Sequence, residues 1–127
     1  MPPIFNYDGK NVITSDEALN LQEKPKSLLI VGAGVIGCEF ANIFSILGSK
    51  VYMIDTAPSI IPTESKAVSQ KVEKIFVKRG IDIRKSTVIK EIKVNENEIV
   101  AYTEDGDTVV AEKALISIGR RVASESS

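Results

Sequence analysis

Three closely spaced glycines are the residues of this sequence best suited to bind a ligand through the peptide backbone. Gly32, Gly34 and Gly37 form a Gly-x-Gly-x-x-Gly pattern, directly after the apolar residues 27–31 and before a helix-forming run. Gly32 permits a tight turn, Gly34 has no Cβ to collide with a pyrophosphate, and Gly37 lets the helix pack closely on the sheet. The pattern predicts a strand, a turn and a helix that hold a dinucleotide by its phosphates. A tight turn that binds nothing is the alternative interpretation.

The start of the predicted helix supplies hydrogen-bond donors to this turn. The backbone N–H groups of Val35, Ile36 and Gly37 have no partner inside a helix, and Ala33 precedes them in the turn. The positive end of the helix dipole lies at the same place. Both features favour an anion, so the phosphates are expected at residues 32–37.

An acidic residue at the end of the next apolar run extends the pattern. Asp55 follows Gly37 by 18 residues and comes directly after the apolar residues 51–54. Such a carboxylate accepts hydrogen bonds from both ribose hydroxyls of the adenosine half, and its charge repels a 2′-phosphate. Residues 56–61 contain no arginine to neutralise such a phosphate. The predicted cofactor is therefore NAD(H) rather than NADP(H), and an Asp that only caps a loop is the competing interpretation.

The composition excludes several classes of function. The 127 residues include 16 basic and 17 acidic ones, so no strong net charge favours nucleic acid or an anionic membrane. The chain has no histidine, which excludes Ser-His or Cys-His catalysis. Its one cysteine, Cys38, cannot form an internal disulfide. No metal site is predicted. Cys38 has no cationic neighbour and is expected to be a packing residue. Without a signal peptide or a membrane-spanning run, a cytoplasmic location is expected.

The periodicity of apolar residues predicts the elements that position these groups. It indicates a Rossmann-like, three-layer α/β fold with a central parallel sheet and an antiparallel β-meander in place of one crossover helix. Residues 1–26 are predicted to be an extended lead-in with one short helix from Ser15, residues 27–121 the NAD(H)-binding domain, and residues 122–127 a frayed tail. The predicted strands are 27–31, 51–55, 81–84 and 114–118, the helices are 35–47 and 66–79, and the meander strands are 88–94, 98–103 and 108–111.

One helix face is predicted to pack on the sheet. Its large apolar residues recur at spacings of three and four, at Ile36, Phe40, Ile43, Phe44 and Leu47.

Three segments together carry a resemblance to a known family. Residues 31–41, 47–55 and 115–121, which end in Ile-Gly-Arg-Arg, resemble the pyridine nucleotide–disulfide oxidoreductases, most of all the central NAD domain of the dihydrolipoamide dehydrogenases. The resemblance implies that Ile89 contacts the adenine, Asp55 the ribose, and Gly119 the nicotinamide end. It also implies that Glu39 approaches the nicotinamide, whereas helix-dipole arguments alone leave its role open.

The resemblance also implies partners that lie outside this sequence. In the family, the NAD domain is joined to an FAD domain and a dimerisation domain, and the flavin passes electrons between NAD and an active-site disulfide. Dihydrolipoamide dehydrogenases serve 2-oxo acid dehydrogenase complexes. The sequence has neither the FAD fingerprint nor the disulfide, so a chain that binds nucleotide without turnover is expected. The alternatives are an NADH oxidase, mercuric reductase or transhydrogenase relative, a stand-alone NADH-sensing module, and an S-adenosylmethionine methyltransferase.

Overall fold

The computed structural model describes residues 3–61 and 65–117. It begins with a 3₁₀ turn at Pro3–Phe5. The helices are α1 (Ser15–Leu19), α2 (Val35–Ile46) and α3 (Lys66–Lys78). The strands are β1 (Val12–Ile13), β2 (Ser27–Val31), β3 (Lys50–Ile54), β4 (Asp82–Arg84), β5 (Ile89–Val94), β6 (Ile99–Thr103), β7 (Thr108–Ala111) and β8 (Lys113–Ile116).

A five-stranded parallel sheet forms the centre of the fold, in the order β1-β8-β2-β3-β4. Val31 at the end of β2 pairs with Ile54 of β3 and Ile116 of β8, so three carboxyl ends lie side by side. The nearly continuous apolar character of β2 suits a strand that is covered on both faces. Residues Leu28, Leu29 and Ile30 are accordingly inaccessible to solvent.

Each face of the sheet carries its own apolar core. One core joins the sheet to α2 and α3 and includes Phe40, Phe44 and Phe76. The other joins the sheet to the antiparallel meander β5-β6-β7 and includes Ile92 and Ile99. The predicted three-layer α/β fold with a meander is therefore confirmed.

The lead-in contributes more structure than the sequence predicts. Strand β1 pairs in parallel with β8, and both of its residues are fully buried. Two residues are too few to show a period, so this strand could not be recognised. The N-cap of α1 is Thr14, and the Glu17 carboxylate reaches back to accept a hydrogen bond from the Thr14 N–H at 2.7 Å.

The face of α2 that packs on the sheet differs from the predicted stripe. Ile43 and Leu47 are 46% and 51% exposed. The buried residues of α2 are Gly37, Cys38, Phe40, Ala41 and Phe44. The stripe predicted from large side chains alone was wrong at these two positions, because close approach of the helix to the sheet requires its small residues.

Both long helices end one residue before the predicted position. Each is followed by a glycine in the left-handed region, Gly48 with φ +102° and Gly80 with φ +88°. The predicted ends at glycine are therefore confirmed.

Candidate nucleotide-binding site

The turn after β2 is set by backbone geometry. Gly32 has φ +106°, a conformation that residues with a side chain rarely adopt. Its N–H donates a hydrogen bond to the Ile54 carbonyl at 2.8 Å, which ties the turn to the end of β3. The first glycine of the motif is therefore required by the turn itself.

The third glycine is required by packing. A Cβ added at Gly37 would lie 2.0 Å from the Gly32 carbonyl oxygen and 3.1 Å from the Ser117 hydroxyl. No real Cβ contact is as short as the first of these, so only glycine allows α2 to begin directly against the turn. The N-terminus of α2 is thereby brought to the carboxyl end of β2, as the spacing predicts.

The carboxylate of Asp55 is bonded to the glycine turn. Its Oδ2 accepts from the Ala33 N–H at 2.5 Å, and its Oδ1 accepts from the Ala57 N–H at 2.9 Å. Asp55 is half-buried. A carboxylate has about four acceptor positions, so the two oxygens retain capacity for further donors on the exposed side.

The first turn of α2 leaves backbone donors available. The N-cap is Gly34, which has no side chain to cap the helix, and the first helical bond runs from the Cys38 N–H to the Gly34 carbonyl at 2.9 Å. The amides of Val35, Ile36 and Gly37 therefore have no acceptor within the helix. Val35 is 53% exposed, so the helix start faces solvent.

A pocket of about 190 Å³ connects the turn to the meander. It brings together Gly32, Asp55 and Ile89, three of the residues that the sequence singled out. The rest of the lining is mostly apolar and comprises Ile4, Phe5, Val31, Ile54, Thr56, Thr87 and Val88. The volume is below the roughly 300 to 1,000 Å³ of drug-sized ligand sites, so the pocket matches one part of a dinucleotide.

The other predicted residues lie outside this pocket. Val35 and Ile36 belong to the first turn of α2, and Glu39 is exposed on its second turn. Gly119, predicted to lie at the nicotinamide end, is outside the described residues.

Sequence reasoning missed most of the pocket lining and one supporting residue, Ser117. Ile4 and Phe5 of the lead-in line the pocket, and no local pattern connects them with residues 32–55. The Ser117 hydroxyl lies 2.9 Å from the Val31 carbonyl and 3.0 Å from the Gly32 carbonyl, where it donates to the base of the turn. The available signal was the place of Ser117 near the end of the predicted strand 114–118.

The environment of Cys38 makes its thiol unreactive. Burial raises the pKa of Cys38 to about 11, and the nearby Asp55 charge contributes to this rise. The side chain is 6% exposed and its Sγ lies 3.5 Å from the Ala33 carbonyl. The expected packing role agrees with this environment.

Labelling of Cys38 tests this conclusion. Because only the thiolate reacts, a thiol with a pKa of about 11 holds roughly a thousandth of its population as thiolate at pH 8. We expect a disulfide reagent to label the folded chain at least about 100-fold more slowly than the chain in guanidinium, where the pKa returns to its ordinary range. Rapid labelling of the folded chain at pH 8 would contradict the conclusion that the Cys38 thiol is unreactive.

A larger cleft of about 410 Å³ lies beside this pocket and shares Thr87 with it. It contains Arg84, whose guanidinium is paired with Asp82 at 3.3 Å and Asp107 at 3.8 Å. The positive charge of Arg84 is therefore already compensated by two carboxylates.

Two other classes of site have no counterpart in residues 3–61 and 65–117. No helix there is long and apolar enough to cross a membrane. Those residues also contain no cluster of three or more His, Cys, Asp or Glu side chains that could bind a metal ion.

Comparison with known proteins identifies the family. The family model described as pyridine nucleotide-disulphide oxidoreductase matches residues 2–127. A dihydrolipoyl dehydrogenase of Bacillus subtilis is 42% identical over 126 residues, which are 95% of this chain and 27% of that protein. The chain thus spans about a quarter of the length of that relative.

Solved structures agree with this assignment. The HOCl-induced flavoprotein disulfide reductase RclA from Escherichia coli, solved as a Cu(II) complex, has a TM-score of 0.84 and 32% identity, over 94% of this chain and 28% of that one. LpdA from Mycobacterium tuberculosis has a TM-score of 0.86 and 27% identity, over 94% of this chain and 26% of that one. The chain belongs to the pyridine nucleotide-disulphide oxidoreductase family of oxidoreductases.

Proposed function

We propose that this chain is the NAD(H)-binding domain of a flavin-dependent disulfide oxidoreductase of the dihydrolipoamide dehydrogenase type. The observation that supports the proposal best is the hydrogen bond of 2.5 Å between the Asp55 carboxylate and the Ala33 amide. It fixes an acid beside a glycine turn, which is the relation that a dinucleotide requires between its ribose and its pyrophosphate.

The pyrophosphate would be held by backbone groups. Gly32 turns the chain with φ +106°, Gly34 is the N-cap of α2 and has no side chain, and the amides of Val35 and Ile36 belong to the first turn of α2. The helix dipole adds a favourable field for phosphate charge. Ser117 stabilises this turn because its hydroxyl donates a hydrogen bond to the Gly32 carbonyl.

The adenosine half would occupy the pocket between the turn and the meander. Asp55 would accept hydrogen bonds from the ribose hydroxyls, and Ile89 would contact the adenine. A 2′-phosphate would meet the Asp55 charge, and Arg84, a cation close to the pocket, is engaged by two carboxylates. These charges support NAD(H) over NADP(H).

The nicotinamide half would extend along the start of α2. Glu39 is exposed on the second turn, and Gly119 is the residue proposed to flank the nicotinamide. When bound, the nicotinamide ring supplies hydride chemistry, and in the proposed parent enzyme an FAD domain holds the flavin that takes part in it. This chain would bind and orient the nucleotide.

The proposal extends to the parts of the protein outside this chain. The names of the Bacillus relative and of the Escherichia coli structure support a dehydrogenase or disulfide reductase. We propose an FAD domain, a dimerisation domain and a 2-oxo acid dehydrogenase complex as partners in a cytoplasmic enzyme. The division of this chain at residues 27–121 stays a prediction.

Titration with NADH and NADPH tests the cofactor proposal. We expect NADH fluorescence to report saturable binding, and NADPH to bind at least about 10-fold more weakly because Asp55 repels the 2′-phosphate. S-adenosylmethionine serves as the control nucleoside and should not compete. Equal affinities for NADH and NADPH would contradict the role of Asp55, and the absence of NADH binding would contradict the proposed function.

A further inference from the structure

Two lead-in residues lie in the pocket proposed for the adenosine. Ile4 and Phe5 precede the glycine turn by more than 25 residues, yet they line the same pocket as Asp55 and Ile89. We infer that the turn at Pro3–Phe5 is a part of the nucleotide site and that Ile4 contacts the adenine base. This inference rests on the proposed function and adds a second apolar contact to that of Ile89.

The two residues have different roles because their exposure differs. Phe5 is 5% exposed and belongs to the core between the sheet and the meander. Ile4 is 43% exposed although it is a large apolar residue. Phe5 therefore anchors the turn, and Ile4 presents apolar surface to the pocket that a bound base would remove from water.

The turn is held in place from the meander side. The Asn6 side-chain amide donates a hydrogen bond to the Ile92 carbonyl at 2.6 Å, and the Asn6 N–H donates to the Pro3 carbonyl at 3.1 Å. Because Ile92 belongs to the same strand as Ile89, the turn and the proposed adenine contact are fastened to one element.

The turn is also held from its carboxyl-terminal side. The Asp8 carboxylate accepts hydrogen bonds from the N–H groups of Lys10, Asn11 and Val12 at 2.8 to 2.9 Å. Val12 then enters the central sheet beside β8. Because Phe5 is buried and Asn6 and Asp8 fasten the segment that follows Ile4, Ile4 is preorganised, so a base that contacts it would lose little affinity to the ordering of this segment.

The chemistry of the pocket suits a heteroaromatic base. Its apolar contributions from Ile4, Val88 and Ile89 come from two segments that are distant in the sequence. A flat base has two apolar faces. Contacts from two segments remove more of the surface of the base from water than a contact with Ile89 alone. Of the polar side chains that line the pocket, Asp55 lies where the sugar is proposed, and the others belong to Thr56 and Thr87.

The variant Ile4→Ser tests the inference in the 127-residue chain. Loss of the apolar contact is expected to weaken the binding of both NADH and ADP-ribose by roughly three- to tenfold. ADP-ribose lacks the nicotinamide, so an equal loss for both ligands assigns the contact to the adenosine half. Ile4→Leu keeps an apolar side chain and is expected to bind within about twofold of the original chain.

The matched control is Ile75→Ser on α3. Ile75 is 44% exposed, almost the same as Ile4, and lies outside the pocket. It should leave both affinities unchanged, and both serine variants should melt within a few degrees of the original chain.

The outcomes separate this inference from the proposed function. If the unaltered chain binds neither NADH nor ADP-ribose, the proposed function fails and the inference fails with it. If the unaltered chain binds both, and Ile4→Ser binds both equally well or loses affinity for NADH alone, only the inference is overturned. Three further outcomes also overturn the inference. Ile75→Ser loses the same affinity as Ile4→Ser, the loss in Ile4→Ser follows the loss of folded protein, or Ile4→Leu binds as weakly as Ile4→Ser.

Discussion

Replacing Asp55 with alanine is expected to weaken NADH binding about 100-fold, which corresponds to about 2.7 kcal/mol. Hydrogen bonds to a charged group contribute roughly 1.5 to 3 kcal/mol each, and the proposed ribose contact comprises two. The carboxylate also bonds the amides of Ala33 and Ala57, so its removal loosens the turn that presents the phosphate donors. Fluorescence titration measures the effect. The preference for NADH over NADPH should fall in the same variant, because the repulsive charge is gone.

Two further variants show whether the effect belongs to this carboxylate. Asp82→Ala removes another half-buried acid on the neighbouring strand β4, where it pairs with Arg84, and NADH binding should stay within about twofold. Asp55→Asn keeps an acceptor without the charge and should give an intermediate affinity. If Asp55→Ala binds NADH like the unaltered chain while remaining folded, the carboxylate does not hold the ribose.

Gly37→Ala is expected to reduce both stability and nucleotide binding. In an ordinary helix interior this change stabilises by about 1 kcal/mol, because alanine has the higher helix propensity. Here the new Cβ would lie 2.0 Å from the Gly32 carbonyl oxygen, which is backbone and cannot rotate away. Overpacking costs about 1 to 3 kcal/mol, and a contact of 2.0 Å with a backbone atom belongs at the upper end of that range, about 2 to 3 kcal/mol, so the packing cost exceeds the gain from helix propensity. We expect a net loss of about 1 to 2 kcal/mol in the free energy of unfolding and at least about a 10-fold loss in NADH affinity.

Gly80→Ala is the control for Gly37→Ala. Gly80 has φ +88°, and a Cβ added there would have no described atom within 4 Å, so alanine meets backbone strain alone. That strain costs about 1 kcal/mol. Urea unfolding and NADH titration of both variants separate the two effects. Gly80→Ala should lose stability and keep its affinity for NADH. Unchanged stability and binding in Gly37→Ala would show that helix α2 can move away from the turn without consequence.

The variants Asp55→Ala and Gly37→Ala both act on one hydrogen-bonded unit, the turn at Gly32 and Ala33. Gly32 bonds to the end of β3, Ala33 bonds to Asp55, and the Ile61 N–H donates to the Ala33 carbonyl at 2.7 Å. Residues in one such network do not act independently. The double variant at Asp55 and Gly37 should therefore lose less affinity than the sum of the single losses.

Local chemistry explains which parts of the fold the sequence could predict. The glycine turn, the caps at Gly48 and Gly80, and the meander strands follow from turn residues and apolar periods that act over a few positions. The two-residue strand β1 has no period, and it forms because β8 offers an edge. The exposure of Ile43 and Leu47 depends on how closely α2 approaches the sheet, which is a property of the packed layers.

The same distinction applies to the site. The glycine cradle and the acid at the next strand end could be predicted without coordinates, because their spacing is dictated by the geometry of a strand, a turn and a helix. Three contacts became visible only in the folded chain: Asp55 bonds to Ala33, Ser117 supports the turn, and Ile4 lines the pocket. The two hydrogen bonds join residues 22 and 85 positions apart. They exist because parallel strands bring their carboxyl ends together at one edge of the sheet, which no short stretch of sequence can specify.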